Sequence, residues 1–112
     1  MSTIFKKIID KELPAKIVYE DDEFLAFEDI FPAAKIHVLV IPKKEIKNLD
    51  DATEEDVILL GKLQLTVAKV ARLLGVNESG YRVVTNINFD AGQTVYHIHY
   101  HILAGEKLGV MA

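Results

Sequence analysis

Cysteine is absent from all 112 residues, which excludes disulfides, thiolate catalysis and cysteine-based zinc sites. Long apolar runs are also missing, since no stretch approaches the ~18–20 residues needed to span a bilayer, and we therefore expect no membrane partner. The 13 lysines and arginines are scattered and the formal net charge is −4, so the basic stripe typical of nucleic-acid-binding proteins is missing too. Internal repeats and low-complexity segments are likewise absent.

What is present is the composition of a folded protein. Half of the residues are hydrophobic and 27% are charged, and the length predicts a single domain, residues 1–112, with one core. The N-terminal segment MSTIFKKIID carries a charge every few residues, unlike a signal peptide. These features together lead us to expect a soluble, cytoplasmic protein.

Hydrophobic periodicity predicts two helices and five strands. A short helix begins after Ser2 or Thr3 and ends before Pro14, and a long one begins at the N-cap Thr53 and ends at Gly75. Strands are predicted by apolar and β-branched runs at Lys16–Glu20, Phe24–Ile30, Ile36–Pro42, Gly80–Ile87 and Val95–Ala104. Strands joined by short turns, followed by a helix and a further strand pair, indicate an antiparallel sheet of the α+β class.

Three of the four histidines lie in the segment HIHYHIL, residues 97–103. Because side chains alternate along a strand, His97, His99 and His101 are predicted to share one face. The opposite face is predicted to pack in the core against the long helix, and it consists of Tyr96, Ile98, Tyr100 and Ile102.

Three interpretations of this histidine row are open. It is a polar outer face, a metal site, or a site for chemistry on a phosphate. A metal site is weakened by the distance of ~13 Å between the outer Cα atoms and by the lack of a neighbouring acidic residue.

Phosphate chemistry fits the row better, because a neutral imidazole is a good nucleophile toward phosphorus. His99 lies between two other imidazoles, which disfavour its protonation, so it is the predicted nucleophile. His101 is predicted to donate to a phosphoryl oxygen or to the leaving group, and His97 to orient the row. In the preceding loop Gly92 allows close backbone approach, while Gln93 and Thr94 offer hydrogen-bond donors.

The pattern His97-Ile98-His99-Tyr100-His101-Ile102-Leu103 resembles the signature of the histidine-triad (HIT) family. IFKKIIDKELPAKIVYEDD, LAFEDIFPAAKIHVLVIPKK and GYRVVTNINFDAGQTVYHIHYHILAG extend the similarity over nearly the whole chain, to the Hint-type branch of nucleotide-binding proteins. The resemblance implies a five-stranded antiparallel sheet with two helices, paired as a homodimer into a ten-stranded sheet. It also implies hydrolysis of purine nucleoside phosphoramidates, such as adenosine monophosphate joined through a P–N bond to an amine or a lysine, without a cofactor or metal.

Each residue role follows from the same resemblance. His99 would form a nucleotidyl-histidine intermediate, and His101 would contact the α-phosphate and the leaving group. Gly92, Gln93 and Thr94 match a phosphate loop, Asn86 an asparagine near phosphate and ribose, and Asp29 the carboxylate that accepts from ribose hydroxyls. His37 would join the triad's hydrogen bonds, in support of His97. The apolar base pocket would consist of Phe5, Ile8, Leu13, Phe27 and Ile30.

Two departures from the family pattern stand out. Glu45 replaces a histidine common among relatives, and the chain ends in LGVMA where many Hint-type chains have a tryptophan and prolines.

Other functions stay open at this point. One is a dinucleoside polyphosphate hydrolase or nucleotidyl transferase that uses the same His99. Another is a nucleotide-binding regulatory dimer with incidental activity, and a third is a zinc-binding protein.

Overall fold

The structure is a computed structural model that describes residues 3–111, so the predicted cap at Ser2 lies outside the described residues. Short 3₁₀ turns occupy Leu49–Asp51, Glu54–Asp56 and Phe89–Ala91. The helices and strands, in chain order, are α1 (Ile4–Ile9), β1 (Ile17–Glu20), β2 (Phe24–Glu28), β3 (Ile36–Pro42), α2 (Val57–Leu73), β4 (Arg82–Val84) and β5 (Tyr100–Ala104).

The five strands form one antiparallel sheet in the order β1-β2-β3-β5-β4. This confirms the predicted α+β class, with two helices and a five-stranded sheet. The central strand β3 pairs with β2 on one side and with β5 on the other, where Val38 is opposite Ile102 and Leu39 is opposite His101. Because β3 pairs with a strand on each side, its position in the sheet is fixed by both β2 and β5.

One face of the sheet packs against α2. The inward side chains alternate along the strands, as the pleat requires, and α2 contributes a stripe at helical spacing. Within residues 3–111 no helix is both long and apolar enough to cross a membrane. The buried residues of this α2-side core are Phe24, Ala26, Val38, Val40, Ile46, Leu63, Val67, Val70, Ile98, Tyr100 and Ile102.

The opposite face packs against α1 through a smaller cluster. Phe5 and Ile8 of the six-residue helix contact the alternate residues of β2 and β3. His37 and His101 occupy the same alternation positions as these residues and therefore lie on this face. The buried members of this α1-side core are Phe5, Ile8, Leu25, Phe27, Leu39 and Ile41.

Both predicted caps are formed, but only the cap of α1 directly precedes its α-helix. The hydroxyl of Thr3 accepts from the backbone N–H of Lys6 at 3.1 Å. Thr53 and Asp56 form a capping box, which first closes a 3₁₀ turn, so the α-helix proper starts at Val57. Gly75 follows α2 with φ +74°, a left-handed conformation that glycine adopts without strain.

The last strand is shorter than predicted, since β5 begins at Tyr100 rather than at Val95. In the register of β3 and β5, Ile98 would be opposite Pro42, which has no N–H to continue the ladder. The backbone N–H of Ile98 instead donates to the carbonyl of Ile46 at 2.6 Å. Tyr96 is consequently 40% exposed, and its predicted core position is wrong.

Candidate active site

A cavity of about 490 Å³ opens between α1, the end of β2 and the start of β5. Its wall contains nine of the predicted site residues: Phe5, Ile8, Leu13, Phe27, Asp29, Ile30, Thr94, His99 and His101. Sequence reasoning missed seven further lining residues, which are Ile4, Pro14, Ala15, Glu28, Phe31, Leu39 and Val95. A larger depression of about 580 Å³ lies between residues 79–82 and 105–108 and contains none of the predicted site residues, so the chemistry favours the smaller cavity.

His99 presents a free nitrogen lone pair at this cavity. Its Nδ1 lies 2.8 Å from the backbone oxygen of His97, and since a carbonyl only accepts, Nδ1 carries the proton and donates it. The neutral ring therefore has its lone pair on Nε2. Phe5 packs edge-on against this ring, with 4.9 Å between ring centroids, and fixes its plane. His99 thus has the tautomer that a nucleophile requires.

His101 has the opposite tautomer, because a chain of hydrogen bonds sets it. The backbone N–H of Ala33 donates to Nδ1 of His37 at 3.0 Å, so neutral His37 carries its proton on Nε2. That nitrogen lies 2.8 Å from Nδ1 of His101 and donates to it. Neutral His101 consequently carries its own proton on Nε2.

His97 is the exception in the predicted row. It is fully buried, with 0% exposure, and its Nε2 donates to the carbonyl of Pro42 at 2.7 Å. Its Nδ1 has no hydrogen-bond partner among the described residues. The prediction that all three histidines look outward is therefore wrong for His97, whose ring is enclosed by the protein and held by the carbonyl of Pro42. His37, predicted to support His97, contacts His101 instead.

Burial lowers the pKa of all four histidines below the ordinary value of 6.5. The pKa of His101 falls furthest, to about 4, because burial is reinforced by the electrostatic effect of the adjacent His99 and His37 rings on a proton added to His101. For His99, burial outweighs the hydrogen bond to the carbonyl of His97 and the attraction of Asp29, both of which raise the pKa. All four imidazoles are therefore neutral near pH 7.

Asp29, His37 and His101 place three potential metal-ligating atoms within 4.8 Å of one another. Two of the lone pairs that an ion would need are already used. Nδ1 of His37 accepts from the backbone N–H of Ala33, so Nε2 of His37 carries a proton. This Nε2–H donates to Nδ1 of His101. Oδ2 of Asp29 lies 3.5 Å from Nε2 of His37, while its Oδ1 accepts from the backbone N–H of Phe31 at 2.8 Å. The cluster is arranged as a hydrogen-bond network.

The side chain of Gln93 shapes the loop of residues 88–94 from beneath. Its amide nitrogen donates to the carbonyls of Lys47 and Val95, at 2.8 and 3.1 Å. Its amide oxygen accepts from the backbone N–H of Asn88 and from the side chain of Asn48, and its own backbone N–H donates to Asn88. Both side-chain donors of Gln93 are therefore engaged within the protein, and Gln93 is not part of the cavity wall.

Of the other predicted loop residues, one lines the cavity and two belong to the structure of the loop. Thr94 is exposed and lines the cavity, so its hydroxyl is available there. Gly92 adopts φ +83° at the turn that leads to Thr94. Asn86 lies outside the cavity wall, and its amide donates to the carbonyl of Ala91 at 2.8 Å, which braces the loop.

Two features of the site had no signal in the sequence. The N–H of Ala33 is a backbone group, and only the tertiary position of His37 reveals its role. Asn48 is 4% exposed and holds both Asn88 and Gln93 by side-chain hydrogen bonds. A single asparagine after a predicted strand reads as an ordinary turn residue.

The two departures from the family pattern lie away from the histidines' cavity. Glu45 is exposed, and its charge raises the pKa of His97 against the larger effect of burial. The C-terminal segment passes β4, where the guanidinium of Arg82 donates to the carbonyl of Gly109 at 2.8 Å.

The HIT domain family model matches residues 10–108 of the chain. An uncharacterised HIT-like protein of Synechococcus elongatus is 56% identical over 106 residues, covering 95% of this chain and 92% of that protein. The purine nucleoside phosphoramidase of Escherichia coli is 47% identical over 109 residues, covering 97% and 92%. A crystal structure of a HIT family hydrolase from Legionella pneumophila Philadelphia 1 superposes with a TM-score of 0.93, 44% identity and 96% coverage of both chains.

Proposed function

This chain belongs to the HIT domain family, and from that premise we propose that it hydrolyses purine nucleoside phosphoramidates through a nucleotidyl-histidine intermediate. The observation that carries the proposal is the pair of opposite tautomers at the cavity. His99 has a lone pair on Nε2, and His101 has a proton on Nε2. One ring attacks phosphorus, and the other stabilises the negative charge that develops on a phosphoryl oxygen.

The first step forms a bond between Nε2 of His99 and phosphorus and breaks the P–N bond. The leaving nitrogen takes one proton from solvent and departs as a neutral amine. The bound ring keeps its proton on Nδ1 and becomes positively charged, and the carbonyl of His97 at 2.8 Å stabilises that charge. In the second step water attacks phosphorus, the N–P bond breaks, the nucleoside monophosphate is released, and one proton returns to solvent.

The rest of the cavity supports a nucleotide. The hydroxyl of Thr94 is a donor beside the histidines, and Asp29 offers a carboxylate oxygen to ribose hydroxyls. An apolar wall suited to a purine base surrounds the remaining space, and it consists of Phe5, Ile8, Leu13, Phe27 and Ile30. The similarity to the phosphoramidase of Escherichia coli supports the P–N substrate.

The decisive variant is His99→Asn, which removes the nucleophilic lone pair and keeps a side chain of similar polarity. We expect phosphoramidate turnover to fall by about a thousandfold or more, while AMP binding by calorimetry persists. Mass spectrometry of wild-type protein quenched during turnover should show a nucleotidyl adduct on His99. Glu78→Gln, an exposed change outside the cavity, is the control and should retain full activity.

Unchanged turnover in His99→Asn would refute the assignment of the nucleophile. A substrate panel separates the remaining enzyme classes, because faster cleavage of P–O–P than of P–N bonds would instead indicate a dinucleoside polyphosphate hydrolase or a transferase. Negligible turnover with tight AMP binding would favour a regulatory nucleotide-binding protein.

The proposal includes the homodimer. Strand β4 is an edge of the sheet, and its Val83 is 42% exposed, so two copies pairing at this edge would give the expected ten-stranded sheet. Light scattering in solution should give twice the mass of one chain, and a single-chain mass would remove the dimer from the proposal.

A further inference from the structure

The loop between β2 and β3 contributes a backbone group to the histidine network. The N–H of Ala33 lies 3.0 Å from Nδ1 of His37, and the contact is part-buried. A backbone amide only donates, so this nitrogen of His37 is an acceptor in the folded protein. Neutral His37 must therefore carry its proton on Nε2.

The sheet register passes this constraint to the next ring. His37 is opposite Leu103 and Leu39 is opposite His101, so His37 and His101 are diagonal neighbours on one face of the sheet. Nε2 of His37 and Nδ1 of His101 are 2.8 Å apart. The proton on His37 occupies the space between these nitrogens, so Nδ1 of His101 is an acceptor as well.

We propose that the backbone N–H of Ala33 is a positioning group that holds His101 as a neutral donor with its proton on Nε2. The inference deepens the proposed function, because that Nε2–H is the group offered to the phosphate. No side chain of Ala33 takes part. The lock consists of the Ala33 amide, the His37 ring and the two hydrogen bonds that join them to His101.

The lock makes other arrangements of the protons on His37 and His101 unfavourable. A proton added to Nδ1 of His101 would face the Nε2–H of His37. If His37 moved its proton to Nδ1 to relieve that conflict, the proton would face the N–H of Ala33. Either arrangement sets two donors against each other in a poorly solvated space, where an unmade hydrogen bond is costly.

The surroundings of His101 act in the same direction. The groups that face it are His37 on β3, His99 just before β5, and Asp29 beyond the end of β2. Burial and the two histidines lower its pKa to about 4, and only Asp29 raises it. One oxygen of the Asp29 carboxylate accepts from the N–H of Phe31, and the other lies 3.5 Å from Nε2 of His37.

Ala33→Pro tests the lock, because proline removes the N–H while adding only a small ring. Ala33→Gly is the matched control, since it retains the N–H and loosens the loop. His37→Phe is a second variant, which keeps a ring of similar size and breaks the chain at its middle. All three are made in the full-length protein.

The readout is the ¹⁵N spectrum of histidine-labelled protein as a function of pH, without any ligand. In the wild type and in Ala33→Gly we expect His37 and His101 to carry their protons on Nε2 at pH 7. In Ala33→Pro and His37→Phe we expect His101 to populate both tautomers, and its pKa to rise by about one unit, a tenfold larger protonated fraction.

Two results would overturn the inference. One is a proton on Nδ1 of either ring in the wild type, and the other is a His101 titration in folded Ala33→Pro and His37→Phe that matches the wild type. Because these spectra require no substrate, they test the lock independently of activity. The protein can be an active phosphoramidase without the lock, or can have the lock without that activity. If both stand, the acidic limb of the Ala33→Pro activity profile shifts to higher pH, and that of Ala33→Gly does not.

Discussion

The two faces of the sheet are built from the same strands but covered to different degrees. On one face the 17-residue helix α2 lies over an apolar layer that includes Ile98, Tyr100 and Ile102. On the other, α1 has six residues and covers only part of the surface, which leaves the cavity beside it. His37 and His101 lie on β3 and β5, which also contribute residues to the α2-side core. Their side chains point to the other face of the sheet because side chains alternate along a strand.

This difference shows how a small sheet can combine stability with chemistry. The α2-side core buries Leu63, Val70 and Ile102 fully, and this packing specifies the register of β3 and β5. That register then sets the diagonal His37–His101 contact on the incompletely covered side. The α2-side core therefore holds in place the two strands whose opposite face carries the His37–His101 contact.

The largest expected effect comes from a matched pair of core truncations. Ile102→Ala, on the α2 side, should lower the free energy of unfolding by about 3–4 kcal/mol and leave the affinity for AMP unchanged. Ile8→Ala, in the cavity wall, should lower it by about 2 kcal/mol or less, because its neighbours already border open space, yet weaken AMP binding about tenfold.

Urea denaturation and calorimetric titration at one protein concentration measure both quantities. Equal losses of AMP affinity in the two variants would contradict the division of labour between the faces.

The next effect is a loss of stability in acid that originates on the α1 side. The folded pKa of His101 is about 4 against an ordinary value of 6.5, so between these values the unfolded chain binds more protons than the folded one. This contribution to stability is fully present above pH 6.5 and is lost as the pH falls toward 4. Because His101 is part-exposed, solvent screening reduces this contribution to about 1–2 kcal/mol.

Denaturant midpoints between pH 4 and 7 should therefore rise more steeply with pH in the wild type than in His101→Gln, which lacks the titrating group. Identical slopes would show that His101 titrates alike in the folded and unfolded chains.

The smallest expected changes in stability and affinity come from removing the two helix caps. Thr53→Ala breaks the capping box before α2 and should cost about 1 kcal/mol of stability without changing AMP affinity. Thr3→Ala frees the first turn of α1, so it should weaken AMP binding a few-fold and change global stability by less. The same denaturation and titration experiments apply, and a larger affinity loss in Thr53→Ala would reverse the comparison.

The amino-acid sequence by itself determined the elements and much of the cavity wall. Strand β3 has the predicted bounds Ile36–Pro42, and α1 begins at the predicted cap Thr3, because alternation and capping are local properties that neighbouring residues settle. Motif spacing likewise indicated His99 and His101, and both line the cavity.

Tertiary structure alone decided what each of these polar groups does. The regular pairing of β3 with β5 ends at Val40 and Tyr100. Beyond that end His97 is buried against the carbonyl of Pro42, although its spacing matches that of His99. Gln93 became a support for its loop because Lys47 and Asn48, remote in the chain, lie beneath it. The tautomers and the burial of these side chains depend on partners that are distant in the sequence. No local sequence pattern therefore predicts them.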